Sequence, residues 1–232
     1  MTPSKSASKV KFEVAQEDLD ILLDDLRALG CREARGVKVS DLAFMESIRR
    51  KCEIPHCGSY GNTFQCPPYT PEKAIVAACI PEAYEYGVVG VLATPPGEMA
   101  TPDDGNVMEV MARAGKWSAK VSNVVSKVES RAHELGYYKA MGFNCGACTW
   151  CGMWTRKWYN DFASGRDLAV CTVIRDGICQ NHRRARPSVE PLGINMPEFL
   201  RERGLIPKTL TFPEISADCT PECPFYAFVL VG

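Results

Sequence analysis

Apolar residues run through this chain in two rhythms, one with helical period and one unbroken. Leu19, Leu22, Leu23, Leu26 and Leu29 recur at helical spacing and stop at Gly30, a residue suited to the left-handed position after a helix. They predict an amphipathic helix. Residues 36–39 read as a short strand, after which Ser40 or Asp41 is placed to cap a helix running to about Arg50. Pro71 sits where a first-turn proline would, so 72–80 reads as a short helix feeding an apolar strand over 86–93, ended by Pro95, Pro96 and Gly97. From Val107 to Leu135 a stripe of helical period predicts one long helix, or two joined near Gly115, closed by Gly136. Residues 137–143 and the unbroken apolar run 225–231 read as strands. Helices and strands are intermixed without an internal repeat or a clear linker. The expected architecture is therefore α+β: a single compact domain over 16–232 with cysteine-rich loops holding metalloclusters, preceded by a disordered 1–15.

Composition narrows the reading. A chain of 232 residues buries roughly 70% of the surface its unfolded form exposes, so it does not need disulfides in place of a core. Residues 1–11 are polar and lysine-bearing, unlike a secretory leader. The expectation is a cytoplasmic protein whose thiols stay reduced, a setting in which cysteine patterns bind metal or do redox chemistry. Net charge is −1, so no global field favours nucleic acid or an anionic membrane. The longest apolar stretches fall far short of the roughly 20 residues that span a bilayer.

Candidate chemistry lies in the twelve cysteines. Cys145, Cys148 and Cys151 follow the Cys-x2-Cys-x2-Cys spacing by which bacterial ferredoxins place three thiolates on a cubane, the fourth arriving from elsewhere. Cys171 and Cys179 follow downstream. Gly146 and Gly152 supply the permissive backbone that a tight loop around a cluster requires. Structural zinc fits less well, because it usually takes two separated cysteine pairs and the triplet leaves one sulfur poorly placed.

A first site offers Cys52, Cys57 and Cys66 on a turn-rich segment that ends in Cys66-Pro67-Pro68. Its fourth ligand is open among His56, Cys79, Cys219 and Cys223, or the position is left free for substrate, as in catalytic zinc sites. Cys79, on an apolar helix, is expected to be a buried core thiol. Cys219-x3-Cys223-Pro224 offers ligands to either site or a reactive pair of its own. Cys31, beyond a helix end, reads as structural.

Around the second site lie Arg156, Lys157, His182, Arg183, Arg184 and Arg186. They suit offsetting the negative charge of a thiolate-bound cluster, or docking a small anionic substrate or an acidic redox partner. Trp150, Trp154, Trp158 and Tyr159 are expected to pack as core or to shield a cluster. No Gly-rich phosphate loop, Cys-x3-Cys-x2-Cys radical signature, His-Glu-x-x-His or Ser-His-Asp pattern is present.

The ordered set of Cys52, Cys57, Cys66-Pro67-Pro68, then Gly136-Tyr137-Tyr138-Lys139-Ala140, the triplet, and Cys179 followed by Ala185-Arg186-Pro187-Ser188-x-Glu190-x2-Gly193-Ile194 resembles a family of predicted metal-binding proteins of unknown function, found largely in anaerobic bacteria and archaea. The resemblance covers most of the chain from about Cys52 onward. It implies a cytoplasmic iron–sulfur protein in which Cys179, rather than Cys171, completes the second site.

The expectation is thus two 4Fe–4S clusters, one on Cys145, Cys148, Cys151 and Cys179 and one on Cys52, Cys57, Cys66 and a further ligand. They would serve electron transfer or a reductive reaction, as an oxidoreductase or a component of one, with a protein redox partner or target enzyme. The alternatives are a cluster-bearing accessory or maturation protein that turns over no small molecule, and a structural zinc module.

Overall fold

The computed structural model describes residues 13–54, 57–100, 105–152, 164, 171–206 and 222–232. The N-terminal residues expected to be disordered lie, for 1–12, outside the described residues. So do His56, Arg156, Lys157, Trp154, Trp158, Tyr159 and Cys219.

The fold is α+β, a single domain built on one antiparallel sheet of four strands in the order β1-β2-β4-β3, with β1 Glu33–Lys38, β2 Tyr86–Ala93, β3 Met141–Phe143 and β4 Pro224–Val231. The two central strands are the two unbroken apolar runs of the sequence. They pair along their whole length, from Tyr86 opposite Val231 to Ala93 opposite Pro224. A strand covered on both faces has no solvent side on which a polar residue would be favoured, which is why neither run alternates.

One face carries α1 (Gln16–Ala28) and α4 (Val107–Glu134). Leu19, Leu22 and Leu26 of α1 and Val121, Val124, Val125, Val128 and Ala132 of α4 pack on Ala34, Val88, Leu92, Ala227, Val229 and Val231. Each fully buried leucine contributes roughly 1.5–3 kcal/mol. The stripe at 107–135 forms one helix, unbroken at Gly115. On the opposite face, α3 (Lys73–Ala83), α6 (Met196–Glu202) and short 3-10 turns at Val39–Asp41 and Glu190–Leu192 cover Val37, Val89, Val91, Tyr226, Phe228 and Leu230. The first cysteine loop is tied to this second face through Arg49 and Pro191, whereas the triplet loop also reaches α4, where the Ser118 hydroxyl donates to the Ala147 carbonyl (3.4 Å). Among the described residues no helix is long and apolar enough to cross a membrane.

Three expected elements differ. The helix expected from Ser40 or Asp41 forms only as α2 (Glu46–Arg50). Phe44 is drawn into a bridge with Ile194, and the Met45 N–H donates to the Gly193 carbonyl (2.7 Å), which holds this backbone extended. The strand expected over 137–143 shrinks to Met141–Phe143. Tyr137 closes the end of α4 through its N–H to the Ala132 carbonyl, and its buried hydroxyl donates to Asp18 (2.6 Å) and accepts from the Ala15 N–H (3.0 Å). Helix α3 starts after Glu72, so Pro71 precedes its N-cap, and it runs through Pro81, which forfeits one backbone bond near the helix end.

Candidate metal centre

The candidate site is assembled from three stretches of chain tied to one another by hydrogen bonds. The first is the loop after α2, where Cys52 follows its helix through an N–H bond to the Arg49 carbonyl (3.0 Å) and the Cys57 N–H returns to the Cys52 carbonyl (3.1 Å). The loop then folds on itself: the Gly61 N–H reaches the Pro67 carbonyl (2.8 Å), and the Cys66 N–H reaches that of Thr63 (3.0 Å). Buried Arg49 fixes this loop from beneath. It donates to the Thr70 hydroxyl (3.0 Å) and to the Pro71 (2.9 Å) and Pro191 (2.7 Å) carbonyls.

The second stretch leaves β3. Asn144, fully buried, bridges to Ser188, and its N–H donates to the Pro187 carbonyl (2.8 Å). Cys145 is thereby laid beside the turn that carries Glu190, and its side chain packs at the junction of both hydrophobic cores. The chain then turns at Gly146, whose φ of +81° is left-handed and strained for any side-chain-bearing residue. Cys148 follows, buried.

The third stretch is α5 (Thr172–Asp176) with the turns after it. Thr172 is its hub. The hydroxyl lies 3.7 Å from the Cys151 sulfur and accepts from the Gln180 N–H (3.2 Å), so the residues beside Cys171 and Cys179 meet at Cys151. Asn181 adds contacts to the Cys151 sulfur (3.9 Å) and the Trp150 carbonyl (3.4 Å). The Cys171 N–H in turn faces the Asn62 carbonyl (3.4 Å), joining this stretch to the first. Cysteines 31, 52, 57, 66, 79, 145, 148, 151, 171, 179 and 223 are all free thiols. Among the described residues no three His, Cys, Asp or Glu side chains are already closed around a single ion position.

The sequence pattern of the family described as Predicted metal-binding protein (DUF2284) matches residues 35–231. The chain belongs to that family. No curated protein and no solved structure matches it. The match spans every stretch just described, and thiols are soft donors of the kind that suit the metal binding predicted for the family.

Electrostatics shows which of these donors are neighbours. Cys66 is pushed well up by burial, then by Cys57 and Cys52, with Cys148 and Glu190 also opposing its ionisation. Cys52 is raised to about 11 by burial, then by Cys57 and Glu190, against a lowering by Arg49. Cys148 is raised to about 12, chiefly by burial; the Trp150 N–H stabilises its thiolate while Cys151, Cys171 and Cys179 oppose it. Cys145 is raised to about 12 by burial and by Glu190, offset by the Tyr226 N–H. The thiols thus form two neighbouring groups, Cys148 lying near enough to Cys66 to oppose its ionisation. Cys171 stands inside the second group.

Glu190 is the functional candidate that sequence reasoning passed over, although it lies in the quoted motif. It borders Cys52, Cys66 and Cys145 and accepts a short hydrogen bond from the Tyr226 hydroxyl. Burial pushes its carboxyl up, with Tyr226 and Ser188 pulling the other way.

Other expected roles shift. Cys79 is exposed, because the buried stripe of α3 runs through Val76 and Ile80 and leaves Cys79 to one side. Buried Cys223 packs with Met99 and Val110. Buried Cys31 lies in the core against α1, as a structural thiol would. Arg186 is committed to Glu129, accepted at 2.9 Å and 3.1 Å by its two oxygens, and Glu129 also holds the Gly142 N–H (2.8 Å). It therefore braces β3 on α4 instead of joining a basic face. His182, Arg183 and Arg184 are exposed, with Arg184 over the Trp150 ring at 5.2 Å.

Proposed function

We propose that this protein holds two iron–sulfur clusters, of the 4Fe–4S type, and passes electrons between them and a redox partner. The observation that carries the reading is the gathering of thiols into two neighbouring groups, Cys52, Cys57 and Cys66 in one and Cys148, Cys151, Cys171 and Cys179 in the other, close enough for Cys148 to oppose ionisation of Cys66. Six of the seven cysteines expected to be ligands, Cys52, Cys57, Cys66, Cys148, Cys151 and Cys179, fall in these groups, and Cys145 shares the neighbour Glu190 with Cys52 and Cys66. Bound there, such clusters supply one-electron transfer at a potential set by hydrogen bonds to sulfur and by exposure.

The surroundings fit such a group. The Trp150 indole N–H is buried without a partner, a donor aimed at no protein acceptor beside Cys148 and Cys151. The main-chain N–H of the same residue already supports the Cys148 thiolate. Exposed His182, Arg183 and Arg184, next to Cys179, give an acidic redox protein a place to dock.

Anaerobic purification tests this directly. The expected product is brown, with about eight irons and eight sulfides per chain, four of each per cubane, and a paramagnetic signal on reduction. A colourless protein loaded with zinc would overturn the proposal. Transfer of clusters to an apo-protein without reversible reduction would favour the accessory role instead.

A further inference from the structure

Resting on the two-cluster reading, we infer that the cysteine triplet is divided between the centres: Cys148 and Cys151 join Cys171 and Cys179 in one four-thiolate set, and Cys145 crosses to Cys52, Cys57 and Cys66. The division follows from where the backbone is tied on either side of Gly146.

On the near side, the Asn144–Ser188 bridge and the bond from the Asn144 N–H to the Pro187 carbonyl lay Cys145 along the Glu190–Leu192 turn. That same turn is clamped to the first cysteine loop. Arg49, three residues before Cys52, donates to the Pro191 carbonyl at 2.7 Å, and the Gly193 carbonyl accepts from Met45 just ahead of α2. Cys145 and Cys52 therefore approach one turn from two sides, and the Glu190 carboxyl is a shared neighbour of Cys52, Cys66 and Cys145.

On the far side, the left-handed Gly146 redirects the chain, and the ties run to α5. The Thr172 hydroxyl touches the Cys151 sulfur and holds the Gln180 N–H, which sets Cys171 and Cys179 on either side of Cys151. Cys171 is buried, as is Cys148, and Cys148 has Cys151, Cys171 and Cys179 for neighbours. A closely spaced cysteine run that serves two clusters is sterically workable, as two-cluster ferredoxins show. The division gives each centre four thiolates. It leaves no open position at the first site and makes Cys171 a ligand.

The test uses the full chain carrying Cys52→Ala, Cys57→Ala and Cys66→Ala together, which removes the first centre and leaves about four irons and one reduced-cluster signal. In that background Cys171→Ala is expected to abolish the remaining signal or convert it to a three-iron form, and Cys171→Ser to shift its g-values. Adding Cys145→Ala is expected to leave both iron content and signal unchanged. Circular dichroism of each variant checks that loss of iron is not loss of fold. Loss of the signal with Cys145→Ala, or its survival unaltered with Cys171→Ala and Cys171→Ser, overturns the division while the two-cluster reading stands. A parent protein without iron and sulfide overturns both.

Discussion

Burial governs the reactivity of these thiols one by one. Cys52 is held near 11 and Cys145 and Cys148 near 12, all above the usual thiol value, because taking the sulfur out of water penalises the thiolate. The sign is the same at each position. Below the raised value the thiol keeps its proton, so in the reduced, metal-free protein at neutral pH these four sites, Cys66 included, present thiols and not nucleophiles. Metal ligation requires the thiolate, so loading expels protons and its apparent affinity climbs with pH. Exposed Cys79 is the internal comparison. At pH 8, iodoacetamide is expected to label Cys79 at least about tenfold faster than Cys52, Cys66, Cys145 or Cys148, read by peptide mass spectrometry. Equal rates would show that burial does not restrain them.

At the scale of elements, the position of β3 decides where the cysteine triplet begins. Strand β3 is three residues long and is an edge of the sheet, held by pairing to β4 on one side and by α4, whose Glu129 accepts from the Gly142 N–H. A Cβ added at Gly142 would lie 2.3 Å from a Val125 methyl group, inside any tolerable contact. Gly142→Ala is therefore expected to destabilise the chain by roughly 1–3 kcal/mol through overpacking, measured as a lower urea midpoint, with Val125→Ala restoring part of the loss. Additive losses in the double variant would show that the two groups do not clash. This dependence was invisible in the chain's periodicity, which reads 137–143 as one strand, because the contacts that end it at Met141 come from Asp18 and Ala15, more than 100 residues away. Where the burial pattern is regular along an element, continuous in β2 and β4 and of helical period in α1 and α4, the pattern alone locates it. The cysteine spacing likewise pointed to both candidate sites, since thiols at such intervals have few other uses. It could not reveal Cys171 or Glu190 as neighbours of those thiols, for each is brought in by tertiary contacts that leave no local period. Cys79 was misread for a related reason: the composition of α3 is apolar, but only the stripe through Val76 and Ile80 faces the core.

For the whole molecule, the packed sheet and the cysteine-bearing loops differ in what holds them. The face bearing α1 and α4 is sealed by apolar packing on β2 and β4, with Val88, Leu92, Ala227 and Val229 essentially inaccessible. The opposite face is packed on its own apolar cluster around Val89, Tyr226 and Phe228, but the cysteine-bearing loops are tied to one another by turns and single hydrogen bonds, among them the Cys171 N–H to Asn62 carbonyl at 3.4 Å and the Thr172 contacts. A metal group bound there would join stretches near residues 52–66, 145–151 and 171–179, segments far apart in sequence whose mutual freedom in the unfolded chain is large. Binding to the native state alone stabilises it by about 2.7 kcal/mol at a hundredfold excess over Kd, which for a chain of this size raises Tm by roughly 5–10 °C. The gain should be local in hydrogen exchange. Loading is expected to slow exchange at amides of 57–69, 145–152 and 171–180, while those of β2 and β4, already buried in the sheet, change little. Protection spread evenly over the sheet, or a Tm indifferent to metal, would mean that these loops do not close around the bound group.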